Sequence, residues 1–218
     1  MSTARLVFVL LIGSACLTSA SAQGSATQPG ALPPDGRTQL SPAARQVIAQ
    51  LGDSLRAVHL PDAPIYAKAA EGMLKGADES RILAAVRTLA RELGAAREAL
   101  GANADESELT AGASALHVGA TPAALSQLRQ TQRSSESGHR SLAVPLVALV
   151  DLLARRVPAP VATAAIDSLV ARGAPAEDFA ALRAAVRQDI LAGRTPEAAV
   201  RARAQGLLHD VDGRGRTP

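Results

Sequence analysis

Residues 78–101 read DESRILAAVRTLARELGAAREALG, and this stretch decides the fold class. Its large aliphatic residues recur at helical spacing, at Ile82, Val86, Leu89, Leu93 and Leu100. Arginine and glutamate occupy the other positions, as on the solvent side of an amphipathic helix. Asp78 stands where a helix is capped by a carboxylate, and Gly101 stands where a helix ends. The stretch therefore predicts one amphipathic helix with both of its ends defined.

The same signals recur along the chain on both sides of this helix. A proline or a capping side chain opens each segment, aliphatic residues follow with helical spacing, and most segments close at glycine. No segment alternates apolar and polar residues as a strand does. The sequence therefore predicts an all-α domain over residues 41–209, an array or bundle of about nine short helices joined as hairpins.

The first 22 residues have the layout of a secretory signal peptide. Arg5 precedes an apolar run from Leu6 to Leu17, and Ala20-Ser21-Ala22 forms a small-x-small cleavage site. The run is shorter than the ~20 residues of a membrane-spanning helix, so we expect cleavage and no membrane span in the mature chain. The alternative is a lipoprotein anchored at Cys16, because Gly13-Ser14-Ala15-Cys16 resembles the bacterial lipobox. Either interpretation predicts an exported protein, periplasmic or extracellular.

The segments that flank the predicted domain have the composition of flexible chain. Residues 23–40 are rich in Gly, Pro, Ser, Gln and Thr without apolar periodicity, which predicts a disordered linker, and residues 210–218 are predicted to be a flexible tail. Cys16 is the only cysteine. If the signal peptide is removed, the mature chain has no cysteine and is stabilised by packing rather than by disulfides.

The charge distribution bears on the class of partner. The chain has 23 basic and 20 acidic side chains, and the arginines lie beside acidic residues rather than in a block. Only one Tyr and two Phe are present, so stacking platforms for bases are lacking. We expect no nucleic-acid binding; a protein partner or self-association is expected instead, with its identity open.

An offset of 97 residues relates two parts of the chain. Pro61 matches Pro158, Gly76-Ala77 matches Gly173-Ala174, and Ile82 matches Phe179. Residues 41–99 and 138–196 are therefore either a duplicated three-helix unit or independent helices that obey the same capping chemistry. Both interpretations stay open because an alanine-rich composition increases chance matches.

One short string resembles an enzyme motif. Gly52-Asp53-Ser54-Leu55 is similar to the nucleophile motif of the GDSL esterases and lipases. The resemblance covers four residues and implies an α/β fold in which Ser54 follows the first strand and is the nucleophile. Gly101-Ala102-Asn103 is a candidate for the family's later glycine and asparagine, but no Asp-x-x-His occurs late in the chain. The aliphatic spacing around Ser54 favours a surface helix instead.

No residue set predicts a metal or cofactor site. The four histidines, at positions 59, 117, 139 and 209, lie far apart, and none pairs with another at the i,i+4 spacing that places two ligands on one helical face. His209-Asp210-Val211-Asp212 carries ligand-type side chains but lacks the closing glutamate of a calcium loop. We therefore expect no metal and no cofactor.

The leading hypothesis is a non-catalytic binding or assembly module that acts through a groove or an exposed helix face. It follows from regular helix punctuation without a complete catalytic set. One alternative is a serine esterase that uses Ser54. Another is a periplasmic holdase-type chaperone, which would require an exposed apolar groove.

Overall fold

The computed structural model describes residues 40–135 and 140–214, with side chains described as far as His209. Within these residues the chain forms nine α-helices and no strand, so the predicted all-α class is confirmed. The predicted signal peptide and Cys16, residues 23–39 of the predicted linker, His139 and residues 215–218 lie outside the described residues.

The helices follow the predicted segments closely. Their bounds are α1 Pro42–Ala57, α2 Ala63–Leu74, α3 Glu79–Leu100, α4 Glu106–His117, α5 Pro122–Ser134, α6 Ala143–Ala154, α7 Ala159–Ala171, α8 Ala176–Leu191 and α9 Pro196–Arg214. The last helix continues to Arg214, beyond residue 209, where the sequence placed the end of the helical domain.

Most of the predicted N-caps are formed. The Ser41 hydroxyl accepts from the Ala44 N–H at 3.1 Å, and the Asp78 carboxylate accepts from the Arg81 N–H at 2.9 Å. Asp62 differs, because it has helical backbone angles and its side chain makes no capping hydrogen bond. An N-cap residue needs extended backbone, so its helical angles keep Asp62 from capping. The Asp62 carboxylate lies 3.5 Å from Arg56 Nε instead.

Six helices end in the same hydrogen-bonded turn, with a left-handed residue just past the helix. Four of these residues are glycines, and two are His59 at φ 56° and Arg156 at φ 63°. The next N–H bonds back to a carbonyl five residues earlier, as from Leu60 to Leu55 at 2.9 Å, which satisfies a carbonyl that the helix leaves free. These turns fix how each helix leaves the previous one.

The 97-residue offset relates two of these turns but does not extend to the packing of the helices. His59 and Arg156 are related by this offset, and each is followed by a buried aliphatic residue and a proline. The helix pairing differs, because α2 packs along α3 whereas α7 packs on α5, α6 and α9 rather than along α8. Duplication of the whole three-helix unit stays a prediction.

The helices stack in two rows. In the first row, α1, α3, α5, α7 and α9 each pack against the next, and in the second row α4 packs on α6 and α6 on α8. The rows meet where α3 contacts α4, α6 contacts α7 and α8 contacts α9, while α2 packs on α1 and α3. Together they bury an aliphatic core that includes Leu93, Leu100, Leu109, Leu125, Leu128, Leu149 and Ile166.

Carboxylates at helix starts join neighbours within a row. Glu79, the first residue of α3, accepts hydrogen bonds from the Ser41 N–H at 2.7 Å and the Ser41 hydroxyl at 3.0 Å. Glu108, in the first turn of α4, accepts from the Leu142 N–H at the start of α6 at 2.6 Å. Both contacts join first turns, where unpaired N–H groups favour negative charge. Since α4 and α6 begin side by side and pack together, they run in the same direction.

Candidate functional site

The middle helix of the second row exposes large apolar side chains. Six residues of α6 are buried, yet Val144 and Val147 on its outer side are 44% and 43% exposed. They lie three residues apart and therefore on one side of the helix. Single exposed apolar residues are common, but these two neighbours occupy the centre of a helix row between α4 and α8. We refer to the outer side of α6, with Val144, Val147 and Asp151, as the α6 face.

A groove of about 430 Å³ borders the α6 face on the α4 side. Val147 and Val150 form its α6 wall, and Thr110, Ala111 and Ser114 are among the α4 residues that form the other wall. Because these three α4 side chains are small, they leave space beside Val147. The groove is therefore open to solvent beside Val147.

A smaller groove of about 180 Å³ lies on the α8 side. Asp151 and Arg155 line it from α6, and Arg183 and Arg187 line it from α8, together with Ala180 and Ala184. Arg155 donates two hydrogen bonds to Asp151, from Nε at 3.0 Å and from Nη2 at 3.1 Å. Three guanidinium groups and one carboxylate thus line the groove, which carries an excess of positive charge.

A third cavity, of about 240 Å³, lies at the beginning of α6. Val144 and Pro145 line it together with Ala174, Ala176 and Phe179 of the α7–α8 region. Val144 thus lies beside the start of α8, whereas Asp151 lies beside Arg183. This pairing indicates that α6 and α8 run in the same direction. The α6 face is thus a ridge that follows the α6 axis between α4 and α8.

A buried polar network positions the start of α6. Glu108 is 3% exposed and receives the Arg129 Nη2 at 2.5 Å in addition to the Leu142 N–H. Arg129 also donates to Gln132, whose amide nitrogen donates to the Arg140 carbonyl at 2.6 Å. A buried charge of this kind is tolerated only with partners, which here come from α5 and the start of α6. The network therefore fixes the position of the start of α6 relative to α4 and α5.

A second ion pair holds α8 against α9. Asp189 is 6% exposed and accepts from Arg203 Nη2 at 2.7 Å and from Arg203 Nε at 2.8 Å. These hydrogen bonds keep the pKa of the Asp189 carboxyl below its usual range, although partial burial opposes the shift. The pair fixes the far side of α8, opposite the groove that it shares with α6.

The four residues that resemble the GDSL motif have structural explanations. Gly52 is buried where an added Cβ would lie 2.9 Å from the Tyr66 ring. Asp53 pairs with Arg56, and the Ser54 hydroxyl donates to the Gln50 carbonyl at 2.8 Å within α1. Leu55 belongs to the core. The strand and sheet that the resemblance implies are not present among the described residues.

The histidines have separate surroundings. His59 lies in a turn, where its carbonyl accepts from Arg97 at 2.6 Å. His117 is the last residue of α4, and its Nδ1 lies 3.0 Å from Glu92 of α3, a partner that the sequence pattern did not identify. His209 is exposed. In residues 40–135 and 140–209 no three His, Cys, Asp or Glu side chains form a group that could hold a metal ion.

The described part of the chain is thus an all-helical protein of two stacked rows, with an apolar ridge exposed on one of them. No helix in that part has both the length and the apolar character needed to cross a membrane. Comparison with known proteins found no matching family model, no matching curated protein and no matching solved structure.

Proposed function

We propose that this chain is a non-catalytic binding module whose α6 face takes up an amphipathic helix of a partner protein. The observation that carries the proposal is the exposure of Val144 and Val147 in the middle of the second row, with a groove on either side. Fully burying an exposed valine contributes about 1.5 kcal/mol, and because these two are already more than half buried, covering each contributes less than that. The two adjacent valines together still provide an apolar anchor.

The stacked architecture supports a helix as the occupant. Arrays of stacked helices bind partners along extended surfaces, and an amphipathic helix places its anchors at i, i+3, i+4 and i+7 in a groove. The grooves beside Val147 and beside Asp151 leave space for such anchors on both sides of the ridge.

Charge supports an acidic partner. The groove on the α8 side is lined by Arg155, Arg183 and Arg187 and by one carboxylate, that of Asp151. A partner helix with acidic residues along one edge of its apolar stripe would complement this charge. The proposed occupant is therefore an acidic amphipathic helix.

The proposal is tested with a fluorescent synthetic peptide of about 18 residues that has leucines at helical spacing and glutamates along one edge of the leucine stripe. We expect saturable binding to the wild type, and Val147→Asp should weaken it at least about tenfold because a charge would enter the apolar contact. Leu74→Asp is the matched control, since Leu74 is also exposed but lies on α2. Circular dichroism verifies that the variants fold, and Val144→Asp provides a second change on the ridge. Equal affinity for wild type and both ridge variants would refute the proposal.

Two further experiments distinguish the alternatives. A holdase would suppress aggregation of many unfolded proteins regardless of their charge, whereas the proposed module prefers the acidic peptide. An esterase that uses Ser54 would be labelled by a fluorophosphonate probe in the wild type and not in Ser54→Ala. We expect no labelling of either protein, because the Ser54 hydroxyl is bonded to a helix carbonyl and has no base beside it in the described structure.

We further propose that the protein is exported. The apolar run of residues 6–17 and the site Ala20-Ser21-Ala22 support removal of the first 22 residues. Mass spectrometry of the protein from its native host should then find a chain that begins at Gln23. A lipid-modified chain beginning at Cys16 would establish the lipoprotein alternative, and an intact N-terminus would refute export by cleavage.

A further inference from the structure

We infer that Arg183 and Arg187 form a carboxylate-binding subsite, which takes up a glutamate or aspartate side chain of the partner helix beside the Asp151–Arg155 ion pair. This inference rests on the proposed function for its natural ligand, but the subsite can also be tested without any partner. It concerns the groove of about 180 Å³ between α6 and α8.

The two arginines that line the groove from α8 have N–H groups that form no hydrogen bond with the described residues. Arg187 is exposed and forms no ion pair or hydrogen bond with the residues that the structure describes. Arg183 Nε is buried and lies 3.6 Å from Asp151, too far for a hydrogen bond, while the Nη groups of Arg183 form no hydrogen bond with the residues that the structure describes. Both guanidinium groups can therefore donate to a ligand that enters the groove.

Asp151 forms its hydrogen bonds with Arg155 and not with Arg183. Its two carboxylate oxygens already accept from Arg155, one from Nε and one from Nη2. The side chain of Asp151 is 22% exposed and that of Arg155 is 31% exposed, so the pair forms a partly sheltered wall rather than a mobile surface contact. Arg155 is thereby occupied within the protein, and the groove retains positive charge on its α8 side.

The spacing of the two arginines suits one carboxylate. They are four residues apart on α8, which places their side chains on the same face of the helix. Two like charges at this spacing repel each other and destabilise a helix slightly, and a bound anion would remove that repulsion. A carboxylate can accept from two guanidinium groups through its two oxygens, which gives geometric specificity as well as attraction. Ala180 and Ala184 leave the space in front of the arginines open.

The subsite extends the ridge. Asp151 lies one helical turn beyond Val147 on α6, so a partner helix that covers the valines reaches the arginines with its next turn. The partner would thus place an apolar residue on Val147 and an acidic residue three or four positions further along. Whether the acidic residue follows or precedes the apolar one in the partner's sequence depends on the direction in which the partner lies on the α6 face.

The first test uses the leucine and glutamate peptide together with a version in which every glutamate is glutamine. We expect the glutamine peptide to bind the wild type about tenfold more weakly, and Arg187→Gln to weaken binding of the glutamate peptide by a similar factor. Arg187→Gln should leave the affinity for the glutamine peptide unchanged. The matched control is Arg87→Gln, because Arg87 belongs to another i,i+4 arginine pair, with Arg91 on α3.

The second test needs no peptide. We expect succinate at constant ionic strength to shift the NMR signals of the Arg183 and Arg187 side chains saturably, and to do so more strongly than inorganic phosphate. If the Arg187 side-chain signal no longer shifts with succinate in the Arg183→Gln variant, the subsite includes both arginines.

The outcomes separate the subsite from the proposed function. If both peptides bind equally and succinate has no effect, the subsite is refuted while the partner face stands. If neither peptide binds but succinate still shifts the arginine signals, the subsite stands and the proposed function fails. Tighter binding of phosphate than of succinate would overturn the assignment to a carboxylate.

Discussion

The carboxylate of Glu108 accepts the backbone N–H of Leu142 at 2.6 Å, across 34 residues of sequence. The same side chain accepts the Asp105 N–H at 3.2 Å and so completes the capping box of α4. The Glu108 side chain therefore accepts one backbone N–H at the start of each of two helices. Because α6 carries Val144 and Val147, this contact also sets the position of the proposed binding ridge.

Substitution of Glu108 tests that double role. Glu108→Gln removes the charge that pairs with Arg129 and places an amide in a buried site, so we expect a loss of about 3 kcal/mol in the free energy of unfolding. Urea denaturation measures it. Glu106→Gln, an exposed change in the same turn, should alter stability by less than about 0.5 kcal/mol. A similarly small effect of Glu108→Gln would mean that the network does not stabilise the fold.

Two glycines inside helices should respond to alanine with opposite signs. At Gly112 of α4 a Cβ would lie 3.0 Å from Leu100 Cδ1 and 3.2 Å from Ala96 Cβ, so Gly112→Ala should destabilise by about 1–3 kcal/mol through overpacking. At Gly94 of α3 a Cβ meets nothing within 4 Å, and Gly94→Ala should stabilise by about 0.5–1 kcal/mol. Thermal denaturation of both variants measures the effect. Changes of the same sign would contradict the packing of α4 on α3.

The left-handed turns give another pair of opposite effects. His59 has φ 56° with an exposed side chain, and His59→Gly should stabilise by about 1 kcal/mol because glycine adopts this conformation without steric cost. Gly76 has φ 66° in the equivalent turn after α2, and Gly76→Ala should destabilise by about 1 kcal/mol. Differential scanning calorimetry measures both. A destabilised His59→Gly would indicate that the imidazole has a stabilising role that its position does not suggest.

The Asp189–Arg203 pair makes stability depend on pH at the acidic end. The pKa of Asp189 is lower in the folded protein than the usual value of about 3.9, so its stabilising contribution is present above that value and is lost as the pH falls through the folded pKa. We therefore expect Arg203→Gln to lower the urea midpoint at pH 6, with the difference from wild type narrowing below about pH 4.

The control for this pH dependence is Arg201→Gln, which removes an exposed ion pair with Glu197 on the same helix. It should change the midpoint little at either pH. A difference between wild type and Arg203→Gln that stays constant from pH 6 to about pH 3 would show that the pair does not titrate with folding.

The helices could be predicted from the sequence because their signals are local. Ser41 and Asp78 bond to N–H groups three residues away, and the capping box of Asp105 and Glu108 is contained in four residues. Asp62 stands before a helix like the others but has helical backbone angles and does not cap. A capping-type residue thus predicts where a helix starts more reliably than it predicts that its own side chain forms the capping hydrogen bond.

The exposed ridge proposed to bind a partner could not be predicted for a different reason. Residues 142–154 are apolar on all sides except at Asp151, so their periodicity gives no indication of which side meets solvent, and a buried central helix is the natural expectation. Six residues of α6 are buried as expected, but the exposure of Val147 follows from the gap between α4 and α6. The arginine groove likewise depends on the packing of α6 on α8, which brings Asp151 to Arg183.

Chemical-shift mapping of the isotope-labelled protein with the glutamate peptide tests the proposed binding face most directly. We predict that the largest amide shifts fall on Val144, Val147, Ala180 and Ala184 and saturate together at one peptide per chain. Shifts centred on α1 and α2, or changes that increase linearly without saturation, would contradict the assignment of the α6 face as the binding surface.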